Sequence, residues 1–319
     1  MAHPAPPSGT QARDPRVHAD LDQLLRLAGP ARRISLLPRQ PSQSVLNGRN
    51  ASKLRGRGLN FEELRNYLPG DDIRTIDWKV TARTGKPHVR VYTEERDRPS
   101  LLIVDQRMTM FFGSQVYMKS VIAAEAAALV AHRLLAQGDR VGGLVFGDDA
   151  IAEHRPVRSP RALHRMLASI AEANQRLHAA ASVPEPGSLN RVLQAAARIA
   201  KTNYLVMVFS DFDTADADTE PLIRALAQNN DLLLFSVTDP LGYAMPEGFR
   251  FTGSDGQLQA EFDTSDRSVR EGIETLMQDR LTGISDIARK HGLPFLPLST
   301  DAPALDQMLV LMGLAGPRR

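Results

Sequence analysis

LLIVDQRMT, residues 101–109, opens with an apolar run that ends on an acidic residue, and the pattern it begins decides the fold. Four further apolar runs follow, separated by segments with helical spacing: RVGGLVF (140–146), YLVMVFSD (204–211), DLLLFSV (231–237) and LPFLPLS (293–299). Runs that are apolar throughout are typical of parallel strands buried on both faces. The pattern therefore predicts an α/β fold with a doubly wound, mostly parallel sheet covered by helices on both sides.

Cap and turn residues give the expected bounds of the helices. We expect a helix over residues 115–137 between Ser114 and Gly138, and another that starts at Ser159. Further elements are listed in chain order: an edge strand over 150–157, a helix from Ser188 to about Lys201, a helix from Thr219 to about Asn229, a hairpin over 248–262, a helix over about 265–291 and a last helix capped by Thr300 or Asp301.

The pattern upstream of residue 99 differs, and it divides the chain into three parts. Residues 1–40 are rich in Pro, Ala and polar residues around one leucine-rich stretch, and we expect a disordered or partly helical N-terminal arm. Residues 41–98 are expected to form a small β-containing unit, in which 59–68 predict a short helix and 89–93 a half-exposed strand. Residues 99–319 are expected to form the α/β domain.

The composition excludes several classes of protein. The 319 residues include no Cys, which excludes a disulfide framework, Cys-ligated zinc, iron–sulfur clusters and thiol catalysis. The start has no apolar signal segment and no stretch is apolar enough to span a membrane, so a cytoplasmic protein is expected. The sequence has no GxxxxGKS/T phosphate loop, no HExxH motif and no GxSxG elbow.

Charge is unevenly distributed along the chain. Residues 1–99 carry 18 Lys and Arg against 11 Asp and Glu, a net of +7, whereas residues 100–319 carry a net of −5. The basic part could contact an anionic partner, but it could equally pack against the acidic part or be solvated. Without a run of five like charges or interleaved aromatic residues, the signal for nucleic acid is weak.

Acidic side chains follow two of the predicted strands at their carboxyl ends. Asp105 ends the first strand, and Asp211 and Asp213 stand at the end of a later one. Ligands bind beyond the carboxyl ends of parallel strands, so we expect these carboxylates to converge, with Thr109 in the same loop and Ser188 from a third. Carboxylates and hydroxyls suit Mg²⁺, although Ser188 is equally well explained as a helix cap.

The segment 56–105 resembles the bacterial domain-of-unknown-function family 58. The resemblance rests on a tyrosine, PGDD, R, IDW and AR at fixed spacing, here Tyr67, Pro69, Gly70, Asp71, Asp72, Arg74, Ile76, Asp77, Trp78, Ala82 and Arg83. The stretches GDRVGGLVFGDD (138–149) and FSDF (209–212) continue the match. The resemblance implies a von Willebrand factor A-like fold and a MoxR-type AAA+ ATPase as partner, with the chain as adaptor or co-chaperone in protein-complex or metalloenzyme maturation.

The resemblance also implies a place for a metal-ion-dependent adhesion site. In that fold the site reads DxSxS after the first strand, followed by a Thr and an Asp from later loops. The candidate metal ligands here are Asp105 for the first Asp, Thr109 for the second Ser, Ser188 for the Thr and Asp211 for the last Asp. Arg107 stands where the first Ser belongs.

Arg107 makes this site degenerate, because a guanidinium has no lone pair to give a metal. If Arg107 points inward, its charge replaces the cation and pairs with Asp105 or Asp211. The site then holds no cofactor, and a partner's acidic group contacts Arg107, with Asp213 beside it. If Arg107 points outward, the remaining ligands hold Mg²⁺ through water. The apolar residues at 108–112 are either a partner surface or core.

The family hallmark has two interpretations of its own. Its charged residues surround the only tryptophan and either lock the unit at 41–98 onto the main domain as a salt-bridge network or form a ligand or partner site. The charged residues concerned are Asp71, Asp72, Arg74, Asp77, Lys79 and Arg83, and Tyr67, Gly70 and Trp78 complete the hallmark. The first interpretation predicts that Trp78 is at least half buried.

Three functions remain in competition. The leading hypothesis is a non-catalytic adaptor with a degenerate adhesion site and no catalytic residue. The alternative is a magnesium-dependent phosphoryl-transfer or hydrolytic enzyme that uses Asp105, Asp211 and Asp213, for which the sequence offers no visible general acid or base. The third is a nucleic-acid binder that uses the basic first part.

Overall fold

The structure is a computed structural model that describes residues 14–36, 59–68, 73, 76–94, 98–178, 189–242, 247–248, 250–254 and 259–313. Its strands are β1 (Leu59–Asn66), β2 (His88–Glu94), β3 (Pro99–Asp105), β4 (Arg140–Phe146), β5 (Ile151–Val157), β6 (Leu205–Ser210), β7 (Asp231–Thr238), β8 (Arg250–Ser254), β9 (Gln259–Asp263) and β10 (Phe295–Ser299). Its α-helices are α1 (Leu21–Arg26), α2 (Ala28–Ala31), α3 (Trp78–Thr84), α4 (Lys119–Gln137), α5 (Pro160–Arg176), α6 (Leu189–Ile199), α7 (Thr219–Asn229), α8 (Arg267–Lys290) and α9 (Ala304–Met312).

A six-stranded sheet in the order β10-β7-β6-β3-β4-β5 forms the centre of the larger unit. Five of its strands run parallel, and β5 pairs antiparallel with β4 at one edge. The chain leaves β3 toward β4 on one side and returns to β6 on the other, so the strand order reverses beside β3. The reversal places the carboxyl ends of β3 and β6 side by side.

Both faces of the sheet are covered, as continuous apolar strands require. Leu102 and Val104 of β3 point into a core shared with α4, α5 and α9. Leu101 and Ile103 of the same strand point into a second core shared with α6, α7 and α8. The predicted α/β fold with a doubly wound, mostly parallel sheet is therefore confirmed.

Residues 14–36, which we assigned to a disordered or partly helical arm, carry α1 and α2 and contribute to the first core. Leu24, Ala31 and Ile34 are fully buried among the side chains packed around α4. Two polar contacts accompany the apolar ones: Gln23 Nε2 donates to Glu125 Oε1 at 2.7 Å, and the His132 ring lies 3.1 Å from the Leu24 carbonyl oxygen. This segment forms one compact unit with residues 98–319.

Two of the expected helix caps are wrong, because their hydroxyls bond elsewhere. Helix α4 begins at Lys119, and α9 begins at Ala304 after Pro303. The hydroxyls of Ser114 and Thr300 instead donate to the carboxylate of Asp239. The cap predicted for α5 is confirmed, since Ser159 Oγ accepts from the backbone N–H of Ala162 at 3.3 Å.

A second compact unit lies within residues 38–97, and its described part is built on an antiparallel pair of β1 and β2 with α3 beside it. The helix predicted over 59–68 is wrong, because residues 59–66 form β1. A bulge between Phe61 and Glu63 shifts the alternation of the strand, and the shifted pattern imitates helical spacing. The strand predicted over 89–93 is confirmed as β2.

Part of the hallmark lies in the described portion of this unit. Asp77 is buried and caps α3, since its Oδ1 accepts from the N–H groups of Lys79 and Val80 at 3.0 and 3.1 Å. Trp78, the first residue of α3, is 69% exposed, so its predicted burial is wrong. Arg83 is exposed, and the N–H of Tyr67 donates to the Pro87 carbonyl. The hallmark residues Gly70, Asp71, Asp72 and Arg74 lie outside the described residues.

None of the helices in the described ranges has the length and apolar character needed to cross a membrane.

Candidate functional site at the carboxyl edge of the sheet

The pairing of β3 with β6 brings the predicted acidic residues together. Asp105 is the last residue of β3, and Asp211 directly follows Ser210, the last residue of β6. The two strands are parallel neighbours, with Val104 paired to Phe209. The carboxylates therefore converge at the reversal of the strand order, as the sequence predicted.

Arg107 points inward and is fully buried against Asp105. Its Nε donates to Asp105 Oδ1 at 3.0 Å and its Nη2 donates to Oδ2 at 2.7 Å, a bidentate pair. The backbone N–H of Arg107 also donates to Oδ1 at 3.0 Å, and Ser210 Oγ donates to Oδ2 at 2.6 Å. Each carboxylate oxygen thus accepts at least two hydrogen bonds, which is the pattern of an ionised carboxylate.

The outer side of the guanidinium is held by the loop after β6. Arg107 Nη1 donates to Thr214 Oγ1 at 2.7 Å, and Nη2 donates to the Asp213 carbonyl at 3.1 Å. Phe212 and Thr214 have φ angles of 55° and 66°, a left-handed backbone that is unfavourable for residues other than glycine. Strain of this kind persists where surrounding contacts fix the backbone, and the bonds from Arg107 are such contacts.

Lys119, the first residue of α4, supplies a second cation. Its Nζ donates to Asp211 Oδ2 at 2.6 Å, while Asp211 Oδ1 accepts from the Asp213 N–H at 3.0 Å and lies 3.8 Å from Arg107 Nη2. The Lys119 side chain is 15% exposed and its ammonium lies 5.9 Å from the centre of the Phe112 ring. Lys119 therefore lies at the outer side of the cluster and Arg107 at its centre.

The two carboxyls differ in how their pKa values respond to this environment. Burial raises the pKa of Asp105, and the Arg107 guanidinium opposes that rise. For Asp211 burial acts in the same direction, but Lys119 and Arg107 outweigh it and leave the pKa below its ordinary value. The pKa of Arg107 lies above its ordinary value, because Asp105 and Asp211 outweigh the effect of burial.

The predicted magnesium site does not fit these residues. Every oxygen of Asp105 and Asp211 already accepts hydrogen bonds from the chain, and the Arg107 guanidinium lies between the two carboxylates. Thr109 Oγ1 is buried without a hydrogen-bond partner in the described residues, but one hydroxyl does not hold a divalent ion. Ser188 lies outside the described residues. In the described part of the chain, no group of three or more His, Asp or Glu is arranged to hold a metal.

The loop of residues 111–118, which we call the anchored loop, borders the cluster. The N–H and hydroxyl of Ser114 donate to Asp239 at the end of β7, at 2.8 and 2.5 Å, and the Tyr117 N–H donates to the Thr300 carbonyl. Burial would raise the pKa of Asp239, but hydrogen bonds from Ser114 and Thr300 lower it below its ordinary value. Asp239 therefore fixes the loop as a carboxylate.

Exposed apolar side chains lie on this fixed loop. Phe112 is 41% exposed and Val116 is 40% exposed, whereas Met110 is fully buried. The stretch 108–112 is therefore partly core and partly surface. Arg107, which the sequence suggested as a direct partner contact, is enclosed by the chain and does not reach the surface.

Sequence reasoning missed three residues of the cluster: Ser210, Thr214 and Lys119. A signal existed for Lys119, since a lysine in the first turn of a helix opposes the helix dipole and so indicates an acidic neighbour. Ser210 directly precedes Asp211, but a serine at a strand end is too common to mark a site. Thr214 belongs to the cluster through a loop conformation that the sequence does not display.

The model of the family described as protein of unknown function DUF58 matches residues 63–282. Two relatives are 31% identical over 279 residues, which cover 86% of this chain and 86% of each relative: uncharacterized proteins Mb1516 of Mycobacterium bovis and Rv1480 of Mycobacterium tuberculosis.

Among solved structures, the conserved hypothetical protein BatB from Bacteroides thetaiotaomicron is 13% identical, with a TM-score of 0.43 over 67% of this chain and 95% of that one. The family match spans well over half of the chain, and the alignments with the mycobacterial relatives cover 86% of it. The chain belongs to the DUF58 family.

Proposed function

We propose that this protein is a non-catalytic adaptor or co-chaperone of the cytoplasm that works with a MoxR-type AAA+ ATPase in protein-complex or metalloenzyme maturation. The identity of the partner follows from the family resemblance, and the anchored loop is its contact surface. The observation that carries the non-catalytic part is the saturation of Asp105 and Asp211 by Arg107 and Lys119.

That saturation favours an adaptor over the magnesium-dependent enzyme. A hydrolase or phosphoryl-transfer enzyme of this type needs carboxylates that are free to hold the metal and orient water. Asp105 and Asp211 are instead committed to cations of the same chain, and Asp213 accepts the N–H of Thr214 at 3.0 Å. The cluster is therefore suited to holding loops in a fixed geometry.

The anchored loop has the properties of a protein contact. It is held by hydrogen bonds to Asp239 directly after β7, to Thr300 directly after β10 and to Lys119 at the start of α4, so little conformational freedom is lost when a partner binds. Gly113 makes the tight path possible, since a Cβ there would lie 2.0 Å from the Tyr117 carbonyl oxygen. Phe112 and Val116 then present apolar surface from a rigid support, as interface anchors do.

A matched pair of valines tests the assignment. Val116 lies in the anchored loop. Val157 ends β5 at the opposite edge of the sheet, where it pairs with Val141 near the start of β4. The side chains of Val116 and Val157 are both 40% exposed. Tagged full-length chain carrying Val116→Asp or Val157→Asp is expressed in the native cell and recovered in the presence of ATP. Co-purified AAA+ ATPase is then identified by mass spectrometry.

We expect the parent chain and Val157→Asp to recover the same AAA+ ATPase. We expect Val116→Asp to recover at least about tenfold less of it, since loss of an interface anchor costs about 2 kcal/mol or more and tenfold corresponds to about 1.4 kcal/mol. Recovery of no AAA+ ATPase by the parent contradicts the proposal. Equal recovery by both variants contradicts the assignment of the loop. Magnesium-dependent hydrolysis of phosphate esters that is lost in Asp213→Ala supports the enzyme instead.

A further inference from the structure

We infer that Arg107 and Lys119 together replace a divalent cation, charge for charge, at the carboxyl edge of the sheet. The inference concerns the site alone and does not depend on which partner the protein binds. Two carboxylates, Asp105 and Asp211, face two cations, one from the loop after β3 and one from the start of α4. The charges balance within the chain, as they would around one bound divalent ion.

The oxygen atoms around the Arg107 guanidinium support this replacement, because they are of the types that bind a metal cation. Its guanidinium contacts a carboxylate, a hydroxyl and a backbone carbonyl, from Asp105, Thr214 and Asp213. These are the oxygen types that a hard cation selects. A guanidinium satisfies them with a planar set of N–H donors where an ion would use coordination bonds.

Lys119 completes the replacement at the side nearer solvent. Arg107 forms its bidentate bond with Asp105 only. The distance from Arg107 Nη2 to Asp211 Oδ1 is 3.8 Å, which is longer than a hydrogen bond. Lys119 supplies the direct bond to Asp211 at 2.6 Å. An arginine without this lysine would leave the cluster with one uncompensated, largely buried carboxylate, which is strongly unfavourable.

The cationic side chains are part of the chain and always present at the site, whereas a bound metal ion would exchange with the solvent. A metal ion entering this place must displace a fully buried guanidinium from a bidentate carboxylate as well as an ammonium from its partner. The geometry of the anchored loop and of the loop after β6 therefore does not depend on divalent cations. Chelators are expected to leave it unchanged.

The test measures thermal unfolding of the full chain with and without excess MgCl₂ or MnCl₂. The variants are Lys119→Gln, Arg107→Ser and the double variant Arg107→Ser/Lys119→Gln. Lys290→Gln is the matched control, because Lys290 also lies 2.6 Å from a carboxylate, that of Glu220, but on an exposed pair. Arg107→Ser removes the guanidinium that lies between the Asp105 and Asp211 carboxylates and leaves a hydroxyl at residue 107.

We expect no shift of the unfolding midpoint by either metal for the parent chain and for Lys290→Gln. The double variant is expected to gain at least about 2–4 °C from saturating metal, since a ligand that binds only the folded state stabilises it. A double variant that folds only when metal is present also supports the inference.

Two results overturn it. One is metal-dependent stabilisation of the parent chain that the variants do not exceed. The other is a folded double variant that metal leaves unchanged. If the double variant does not fold under any condition, Lys119→Gln decides: it is expected to bind Mn²⁺ at least about tenfold more tightly than the parent, because one of the two compensating charges is gone. Equal affinity then refutes the role of Lys119.

Discussion

Arg107 is a fully buried arginine with polar partners on both sides of its guanidinium. Asp105 accepts hydrogen bonds from its Nε and Nη2, and Thr214 and Asp213 accept others. The Phe146 ring lies 5.2 Å from the guanidinium carbon, within cation–π range. The energetic consequence is asymmetric, because removing one partner of a buried ion pair leaves the other uncompensated.

Asp105→Asn is therefore expected to lower the free energy of unfolding by about 3–5 kcal/mol. The variant keeps the shape of the side chain but leaves the Arg107 charge without its main partner. Urea unfolding followed by circular dichroism measures the change. Asp14→Asn is the control, because the Asp14–Arg16 pair lies at the surface and such pairs contribute little. Similar behaviour of the two variants would contradict the buried-pair description.

Asp211 gives the cluster a defined pH dependence. Its pKa is below the ordinary value because Lys119 and Arg107 outweigh burial. A carboxyl that binds its proton less tightly when folded stabilises the fold above the ordinary pKa of about 3.9 and loses that contribution as the pH falls through its lowered value. The difference in unfolding free energy between the parent and Asp211→Asn should therefore be constant near neutral pH and shrink below about pH 4.

Urea titrations of both proteins at a series of pH values measure this difference. A difference that grows toward acid pH would show that the Asp211 carboxyl is held protonated in the folded chain.

At the scale of residues, the sequence predicted that Asp105 and Asp211 converge, but not which cation lies between them. Asp105 and Asp211 were identifiable because they end apolar strands, and strand ends meet at one edge. Whether Arg107 turns inward depends on its side-chain torsions and on the loop after β6, neither of which has a sequence pattern. Lys119 lies twelve residues beyond Arg107 in the chain and joins the cluster only because α4 starts at this point.

At the scale of elements, the backbone of the edge strand β5 approaches β4 closely at Gly142. A Cβ on Gly142 would lie 2.4 Å from the His154 carbonyl oxygen and 2.4 Å from the Pro156 nitrogen, both of them backbone atoms of β5. The β4–β5 register shifts between Val141 and Gly143. The strand pair therefore depends on the absence of a side chain at this position.

Gly142→Ala is expected to destabilise the fold by about 1–3 kcal/mol, since backbone cannot move aside as a side chain does. Gly272→Ala is the matched control, because Gly272 lies in α8 with nothing within 4 Å of an added Cβ. There the substitution should be neutral or stabilising by up to about 1 kcal/mol, the difference in helix propensity. Chemical unfolding of both variants checks the contrast, and an equal effect at the two glycines would contradict the close approach.

Elements with strong periodicity were predictable, and those set by distant partners were not. The strands of the sheet and the helices α5 and α8 follow from apolar runs and cap residues. Strand β1 has the sequence spacing of a helix, because its bulge breaks the two-residue alternation that marks a strand. The sequence around Ser114 and Thr300 predicts helix caps, but both hydroxyls donate to the carboxylate of Asp239. Asp239 lies 125 residues from Ser114 and 61 residues from Thr300 in the chain.

At the scale of the whole molecule, the chain consists of two compact units, and its only tryptophan lies in the smaller one. Trp78 is 69% exposed at the start of α3. The full-length protein is therefore expected to emit close to the wavelength of free tryptophan in water, and acrylamide should quench it efficiently. A blue-shifted emission that resists quenching would show that the Trp78 side chain is covered in solution.

The cation at the carboxyl edge of the sheet belongs to the chain itself, as the Arg107 guanidinium bound to Asp105. The most direct test is the nuclear magnetic resonance signal of the Arg107 Nε–H in full-length protein labelled with ¹⁵N-arginine, assigned by its loss in Arg107→Lys. We expect a signal that is strongly protected from hydrogen exchange, because this N–H is buried and donates to Asp105, and that excess Mg²⁺ leaves unchanged. An Arg107 signal that exchanges freely, or that shifts when Mg²⁺ is added, would contradict the claim.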